Sequence, residues 1–185
     1  MQVDRSLGAL FLTVTMVVTT GSAAYGQPRA EIGASLLSST IGLGDEGVST
    51  LGMPSGGFGI LNPGMYASLF IGTRVAIEPQ VGFIWAHVSD ESIHFLNFVG
   101  QFDYFFQGTG QPSLYAFAAA GLVSASGADY TPKSVGFGVG YRIPLGDRLT
   151  FRVDGRYTHY TGEFDGGGGD ALGFMLSIGG VFRRM

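Results

Sequence analysis

One short segment of the chain, residues 159–163, combines side chains that could carry out acid–base chemistry. His159 stands two positions before the hydroxyl group of Thr161 and four before the carboxyl group of Glu163. A histidine can take the proton of a hydroxyl group while a carboxylate orients its ring, and the oxygen then becomes a nucleophile towards an ester. A histidine also suits a boundary between apolar and aqueous surroundings, because its ring has an apolar body and a polar tip. The segment therefore has two interpretations, one catalytic and one not.

A second set of chemically active side chains consists of single charges spread over several segments. Each stands at an alternate position, on a face that also carries Gly, Gln and Asn, and the set comprises Glu31, Glu78, Asp103, Arg142, Arg152, Asp154 and Arg156. If these faces meet in a closed interior, the opposite charges should pair, because an unpaired buried charge is very costly. The pattern predicts a network of ion pairs with a structural role.

Two histidines could in principle bind a metal ion. His87 and His94 flank a short polar segment that contains Asp90 and Glu91, and all four are metal-ligating residue types. Their spacing does not define a set of ligands, so we predict solvated loop residues and no metal site. No cofactor is expected from any other part of the chain.

The stretch from Leu149 to Tyr160 indicates which elements position these side chains. Its odd positions are apolar or small up to Tyr157, whereas its even positions are polar up to Thr158 and include three charges. A period of two is typical of a strand with two unlike faces. In neighbouring segments the aromatic residues also keep to one face and the polar residues and glycines to the other. That distribution is typical of a transmembrane β-barrel, which is apolar towards lipid and polar towards its lumen.

The same alternation divides the remaining chain into eight strands. They are predicted at residues 29–39, 58–70, 75–87, 93–106, 114–124, 134–143, 149–160 and 171–182. An even number of strands of this length fits a tilted, membrane-spanning barrel. The facing of the second and fifth strands stays open, because Pro63 and Gly64 interrupt one and alanines dominate the other. We predict an all-β fold, an eight-stranded antiparallel up-and-down transmembrane β-barrel preceded by a cleavable signal peptide.

Long and short connections alternate between the predicted strands, and the longer ones are residues 41–57, 88–92, 125–133 and 162–170. Outer-membrane barrels have short periplasmic turns and longer external loops. The alternation therefore places both termini in the periplasm and these four segments outside. The last of them contains four glycines in a row without the following Lys and Ser or Thr of a phosphate-binding loop, so we predict a flexible loop tip.

Composition limits the classes of protein to which the chain can belong. Its 185 residues include 32 glycines, 13% charged and 13% aromatic residues. A disordered chain would be richer in charge and poorer in aromatic residues. The net charge of −4 argues against a nucleic-acid partner, which needs clustered Lys and Arg, and the absence of cysteine excludes disulfides and thiol chemistry. We predict a single barrel domain over residues 27–185.

Residues 1–26 have the parts of a secretory signal peptide in the usual order. Arg5 precedes an apolar run over residues 7–18, and small residues allow cleavage after Ala24 or after Gly26, of which we prefer the second. The apolar run is short for a membrane-spanning helix. An exported chain without such a helix can enter a membrane only as a closed barrel.

Three stretches carry a resemblance to a known family, namely Arg74–Gly82, Gln101–Phe106 and Gly138–Leu149. With the strands in place, residues 29–182 resemble the small eight-stranded outer-membrane β-barrel domain family, of the OmpA/OmpX type in shape. The resemblance implies a location in the cell outer membrane, contact with outer-membrane lipid and lipopolysaccharide, and insertion by the barrel-assembly machinery. Family members usually end on the aromatic residue of the last strand, whereas here three residues follow Phe182.

The segment from Arg156 to Thr161 is similar to the Arg-x-x-His-x-Ser motif of outer-membrane lipid A deacylases, which are also eight-stranded. This resemblance implies a catalytic role for His159, with Thr161 at the position of the serine nucleophile and Glu163 as the carboxylate. Nothing else in the chain matches the signature of that family.

From these observations we expect an integral outer-membrane β-barrel protein of a Gram-negative bacterium that is not an enzyme. The lumen is expected to be plugged by the ion-pair network. The role is expected to lie in envelope structure or in surface interaction through the external loops, whose partner the sequence does not name. The alternative is a lipid A ester hydrolase that uses His159.

Overall fold

The computed structural model describes residues 28–43, 49–52, 64–88, 91–125, 133–161 and 169–183, and these residues form antiparallel strands and short turns. In chain order the strands are β1 (Pro28–Leu43), β2 (Ser49–Gly52), β3 (Met65–Ile71), β4 (Val75–Val88), β5 (Glu91–Phe105), β6 (Ser113–Ala125), β7 (Lys133–Leu145), β8 (Leu149–Thr161) and β9 (Asp170–Arg183). Within the described residues, no helix has the length and apolar character needed to cross a membrane.

The strands close into a barrel. From β3 to β9 each strand pairs with its neighbour in sequence, and β9 pairs with β1 along nearly its whole length. Both β2 and β3 pair with the other edge of β1, at Ser38–Ile41 and at Ala30–Ala34 respectively, so they share one position in the wall. The barrel therefore has eight positions around its circumference, and the predicted eight-stranded antiparallel up-and-down fold is confirmed.

Some predicted boundaries are wrong. Residues 41–57 were expected to form one loop, yet β1 continues to Leu43 and β2 lies within that range. The backbone groups of β1 beyond its contact with β3 need partners, and β2 supplies them along the free edge. The range 88–92 is also not simply a loop, since Val88 and Glu91 form the last pair of the β4–β5 ladder.

Several predictions lie outside the described residues. They concern the signal peptide at residues 1–26, the first part of the predicted second strand at 58–63, the four-glycine run and Arg184–Met185. At the other end of the fourth connection, Asp170 was expected in a loop and is instead the first residue of β9.

The two faces of the wall differ as the alternation predicted. Large apolar side chains cover the outside of the barrel and include Ile32, Met65, Leu69, Ile77, Phe83, Phe98, Phe102, Leu114, Leu122, Val135, Phe137, Val139, Leu149, Leu172 and Phe182. The inside holds most of the buried polar and charged residues of the described chain. This inversion of the usual soluble arrangement suits a barrel whose outer surface contacts lipid.

The structure also settles the facing of the alanine-rich β6. Leu114 and Leu122 face outward, whereas Tyr115 and Phe117 point into the lumen and are buried. They pack with Phe105 and Ala76 in an apolar cluster. The lumen is therefore partly aromatic, which the sequence did not predict.

Glycines in β7 make room for these inward aromatic rings. Gly138 lies opposite Phe117 and Gly140 lies opposite Tyr115 in the β6–β7 ladder. A Cβ atom built on Gly138 would overlap the Phe117 ring and the carbonyl oxygen of Gly155. The large residues of one strand thus require small residues on the next, because an eight-stranded barrel has little interior volume.

This packing predicts that Gly138→Ala destabilises the barrel by about 1–3 kcal/mol, the usual cost of overpacking a filled interior. The matched control is Gly155→Ala on β8, where an added Cβ would come no closer than 4.0 Å to its nearest neighbour. Urea unfolding of both variants in lipid vesicles measures the difference. Equal unfolding midpoints would contradict this prediction, because they would show that the residues around Phe117 can rearrange to accommodate the added methyl group.

Candidate functional site

Strand β8 positions four polar side chains in the lumen. Thr150, Arg152, Asp154 and Arg156 alternate with outward residues and are all buried. Because a strand turns every second side chain to the same face, a single strand delivers two arginines and one carboxylate to the interior.

Arg152 is the centre of the network and is 1% exposed. Its Nη1 atom donates to Oε2 of Glu78 at 2.5 Å, while Nε and Nη2 both donate to the Tyr115 hydroxyl at 3.0 and 2.8 Å. The guanidinium carbon also lies 4.7 Å from the centroid of the Tyr66 ring. One side chain of β8 thereby contacts residues of β3, β4 and β6 across the lumen.

A second ion pair joins β7 to β1. The Nε atom of Arg142 donates to Oε2 of Glu31 at 2.8 Å, and the Tyr66 hydroxyl donates to the other carboxylate oxygen at 2.7 Å. Nη1 of Arg142 donates to the carbonyl oxygen of Thr109 at 2.8 Å, which connects the pair to the turn between β5 and β6. Both charged groups are fully buried.

The remaining three charges of the predicted network have neutral partners. Asp103 accepts from Nε2 of Gln101 at 2.7 Å, and Arg156 donates through Nη2 to Oε1 of the same Gln101 at 3.0 Å. Asp154 accepts a short hydrogen bond from the Tyr115 hydroxyl. Among the described residues, none of these three forms an ion pair within the lumen.

Gln80 connects the two parts of the network. Its Nε2 atom donates to Oε1 of Glu78 at 2.6 Å and to Oε1 of Gln101 at 3.0 Å. No role in the network was predicted for Gln80, Gln101, Tyr66 and Tyr115. The alternation places Gln80 and Gln101 on the inward face, but nothing in the sequence indicates that amide and phenol groups hydrogen-bond the buried charges in place of ion-pair partners.

A separate polar cluster lies on the outer face of the barrel, at the end of β8. Nδ1 of His159 is 2.8 Å from Oδ1 of Asp170, and the Tyr157 hydroxyl donates to the same oxygen at 2.6 Å. The side chains of His159 and Asp170 are 46% and 40% exposed. Asp170 precedes the apolar outer face that begins at Leu172, so the cluster lies at the rim of the apolar surface.

The rim cluster differs from the predicted catalytic set. Asp170, which pairs with His159 in the β8–β9 ladder, contacts the imidazole, whereas Glu163 lies outside the described residues. The Oγ1 atom of Thr161 donates to the carbonyl oxygen of Lys133 at 3.4 Å. Sequence reasoning missed Asp170 because it was assigned to a loop.

The predicted absence of a metal site stays a prediction. Asp90 and the side chains of His87, Glu91 and His94 lie outside the described part of the structure. Among the side chains that are described, no group of three or more His, Cys, Asp or Glu residues could hold a metal ion.

No protein-family model matches the chain, and no curated protein matches its sequence. Among solved structures, the crystal structure of Neisserial surface protein A is similar at 11% identity with a TM-score of 0.62, covering 85% of this chain and 99% of that one. The solid-state NMR structure of the outer membrane protein AlkL in lipid bilayers is similar at 17% identity with a TM-score of 0.50, covering 90% of this chain and 95% of that one. The crystal structure of the outer membrane enzyme PagL is similar at 16% identity, with a TM-score of 0.46 and coverage of 76% and 97%.

The chain has the fold of the small eight-stranded outer-membrane barrels. At such low sequence identities the likeness establishes the fold and not the activity. The predicted resemblance is therefore confirmed at the level of architecture, and the expected location in the outer membrane agrees with this fold and with the apolar outer surface.

The contacts of Arg152 predict that Arg152→Ala destabilises the barrel by about 3–5 kcal/mol, because it strands Glu78 as a buried carboxylate without its cation. Thr150→Ala, on the same face of β8, is the matched control. It removes a 3.4 Å hydrogen bond to the carbonyl oxygen of Gly179 and a hydrogen bond to the Glu31 carboxylate, which keeps Arg142 and Tyr66 as partners, and should cost about 1–2 kcal/mol. Unfolding by urea in lipid vesicles compares the two, and equal midpoints would contradict a stabilising ionic interior.

Proposed function

We propose that this chain is an integral outer-membrane protein with a plugged polar lumen, which acts in envelope structure or in surface interaction and does not catalyse a reaction. The observation that carries the proposal is the set of contacts that Arg152 makes across the lumen with Glu78 and Tyr115. These contacts occupy the cross-section through which a solute would have to pass.

Interior volume supports the plug. An eight-stranded barrel is just wide enough for its own side chains to fill. Here the largest buried side chains, Arg142, Arg152, Tyr115 and Phe105, all belong to the lumen and are almost completely inaccessible. Their mutual hydrogen bonds and ring contacts oppose the rearrangement that would open a continuous aqueous path.

The outer surface supports the proposed surroundings. Apolar side chains are exposed on every strand with described outward residues, and a soluble protein rarely exposes so much contiguous apolar surface. The proposed partners are outer-membrane lipid and lipopolysaccharide around the barrel and the assembly machinery during insertion. Specific interaction is assigned to the external loops, since loops on a rigid scaffold commonly carry binding specificity.

The proposal that the protein is not an enzyme depends on Thr161, whose hydroxyl group would have to act as the nucleophile. The hydroxyl of Thr161 is directed to the carbonyl oxygen of Lys133, and no hydrogen bond joins it to His159 among those that the structure describes. An activated hydroxyl needs a base within hydrogen-bond reach. His159 has instead the surroundings expected of a rim residue held by its neighbour on β9.

One observation favours the second candidate, a lipid A ester hydrolase. His159 and Asp170 form a base and an orienting carboxylate at 2.8 Å on the outer face of the barrel. Asp170 would replace Glu163 in the role that the sequence analysis assigned. Such a hydrolase would still require Thr161 to turn from Lys133 towards the imidazole ring.

A plugged lumen predicts no solute flux in a liposome-swelling assay with a small sugar. Flotation of the proteoliposomes in a density gradient verifies insertion, and liposomes prepared with detergent alone provide the baseline. We expect swelling equal to that baseline, because Arg152, Glu78 and Tyr115 block the lumen. Rapid swelling in proportion to the inserted protein would contradict the plug.

The non-catalytic proposal predicts unchanged lipid A acylation. Lipid A from cells that express the protein, the His159→Asn variant or neither is compared by mass spectrometry. We expect the same acyl-chain pattern in all three strains, because no hydroxyl group among the described residues is hydrogen-bonded to the imidazole ring of His159. If one acyl chain is lost with the native chain and retained with the variant, the hydrolase is the correct function.

A further inference from the structure

Arg156 differs from the other two lumen arginines in what surrounds it. Arg142 and Arg152 each form an ion pair, whereas Arg156 is 9% exposed and forms none with the described residues. Its Nη2 atom donates to Gln101 and its guanidinium carbon lies 5.2 Å from the centroid of the Phe117 ring. Its Nε atom is buried without a hydrogen-bond partner. Among the described residues this guanidinium group therefore has an acceptor for Nη2 but neither an ion-pair contact nor an acceptor for Nε.

A small cavity adjoins this guanidinium group. It has a volume of about 10 Å³ and is lined by Arg156, by the polar residues Asn97, Ser134, Thr158 and Tyr160, and on its remaining sides by mostly apolar residues such as Val99 and Phe137. All four neutral residues can donate hydrogen bonds, and no carboxylate lines the cavity. That volume is about the room that one water-sized atom needs. The combination of a cation, neutral donors and no acid is the chemistry of an anion site.

Glycines keep the surroundings of the cavity open. A Cβ atom on Gly173 would come within 3.1 Å of Cγ of Arg156, and one on Gly136 would come within 3.2 Å of Oγ1 of Thr158. A Cβ atom on Gly121 would lie 3.0 Å from Oγ of Ser134. Three different strands thus carry glycine beside the polar lining, and at Gly121 and Gly136 a Cβ atom would also meet the carbonyl oxygens of Phe98 and Tyr157, at 2.7 and 2.6 Å.

The carboxylates of the network are engaged elsewhere. Asp103 accepts from Gln101 and Asp154 accepts from Tyr115, and neither lines the cavity. Each of them also keeps one oxygen atom without a hydrogen-bond partner, and no hydrogen bond among the described residues joins either acid to Arg156, although Asp154 lies two positions away on the same face of β8. Arg156 lies four residues beyond Arg152 along β8, towards the end that the predicted orientation places outside, so it precedes the ion pair of Arg152 on a path from that end.

We propose that Arg156 binds a small anion, either a halide ion or one oxygen atom of an oxyanion, at the outer end of the lumen. The anion accepts from the free Nε atom and from the neutral donors of the cavity wall. Charge-assisted hydrogen bonds of this kind are about twice as strong as neutral ones, so a single well-placed cation can carry the binding. This site is independent of the loop partner and of the rim cluster at His159.

The test is an NMR titration of the folded protein in detergent micelles, which follows the Nε–H resonances of the arginines. Sodium chloride is exchanged against sodium gluconate at constant sodium concentration, and sodium sulfate is exchanged against sodium gluconate at constant ionic strength. We expect a saturable shift of the Arg156 resonance with chloride, with sulfate or with both, and the two arms distinguish the halide from the oxyanion. The resonances of Arg142 and Arg152 are internal controls, because their Nε atoms already have acceptors.

Two variants make the result specific. Ser134→Val fills the cavity and removes one donor, and should weaken the titration midpoint at least about tenfold, the value of one hydrogen bond to a charged group. Arg148→Gln, in the exposed turn between β7 and β8, should leave the midpoint unchanged. The native protein alone already decides the question if a variant fails to fold.

Three outcomes would overturn the proposal. A shift that grows linearly without saturation would show unspecific ionic effects. Equal shifts of all three arginine resonances would place the effect outside this cavity. If neither salt gives a saturable shift, and crystals grown in sodium bromide and in sodium sulfate both have only a water molecule at Nε of Arg156, the cavity holds solvent only.

Discussion

The burial of a guanidinium group inside the barrel is the interaction on which the other features of this structure depend. Arg152 is almost fully enclosed, and a charge removed from water is tolerated only with a counter-charge and further hydrogen-bond partners. Glu78 provides the charge, and the Tyr115 hydroxyl accepts from two of the nitrogen atoms. Tyrosine can reach this position only because Gly140 faces it, since a Cβ atom there would overlap the ring. The alternation of aromatic residues on β6 with glycines on β7 follows from the same requirement.

The lumen contacts complement those of the wall. Backbone hydrogen bonds of the barrel join each strand only to its neighbours, so they fix the circumference without fixing the cross-section. The ion pair of Arg152 with Glu78 joins residues 74 positions apart, and that of Arg142 with Glu31 joins residues 111 apart. These links bridge strands that are not adjacent in the wall. They hold the barrel to one shape while lipid surrounds its outer face, where apolar burial between side chains contributes little.

Periodicity predicted most of the fold and only part of the site. Strand positions and facing followed from the alternation in β4, β5, β7, β8 and β9, because the two faces meet media of opposite polarity. The alternation does not predict that Tyr115 and Phe117 face the lumen, because aromatic residues in such a barrel are usually expected to face lipid. The rings fit inside because glycines on β7 lie opposite them. It also missed Asp170, whose role depends on the β8–β9 register and not on its sequence distance from His159. Register between strands is a tertiary property that local alternation does not determine.

The unequal numbers of acids and arginines explain why neutral side chains complete the network. Four carboxyl groups face three guanidinium groups in the described lumen, so ion pairing alone cannot satisfy them all. An amide can accept from a cation and donate to an anion at once, and Gln101 does so between Arg156 and Asp103. Among the described residues the two ion pairs, of Arg142 with Glu31 and of Arg152 with Glu78, leave Asp103, Asp154 and Arg156 to neutral partners, and Arg142 also donates to Thr109 in the turn between β5 and β6. Two matched pairs of charges therefore link opposite sides of the lumen, and amide and phenol groups supply hydrogen bonds to the charges that remain.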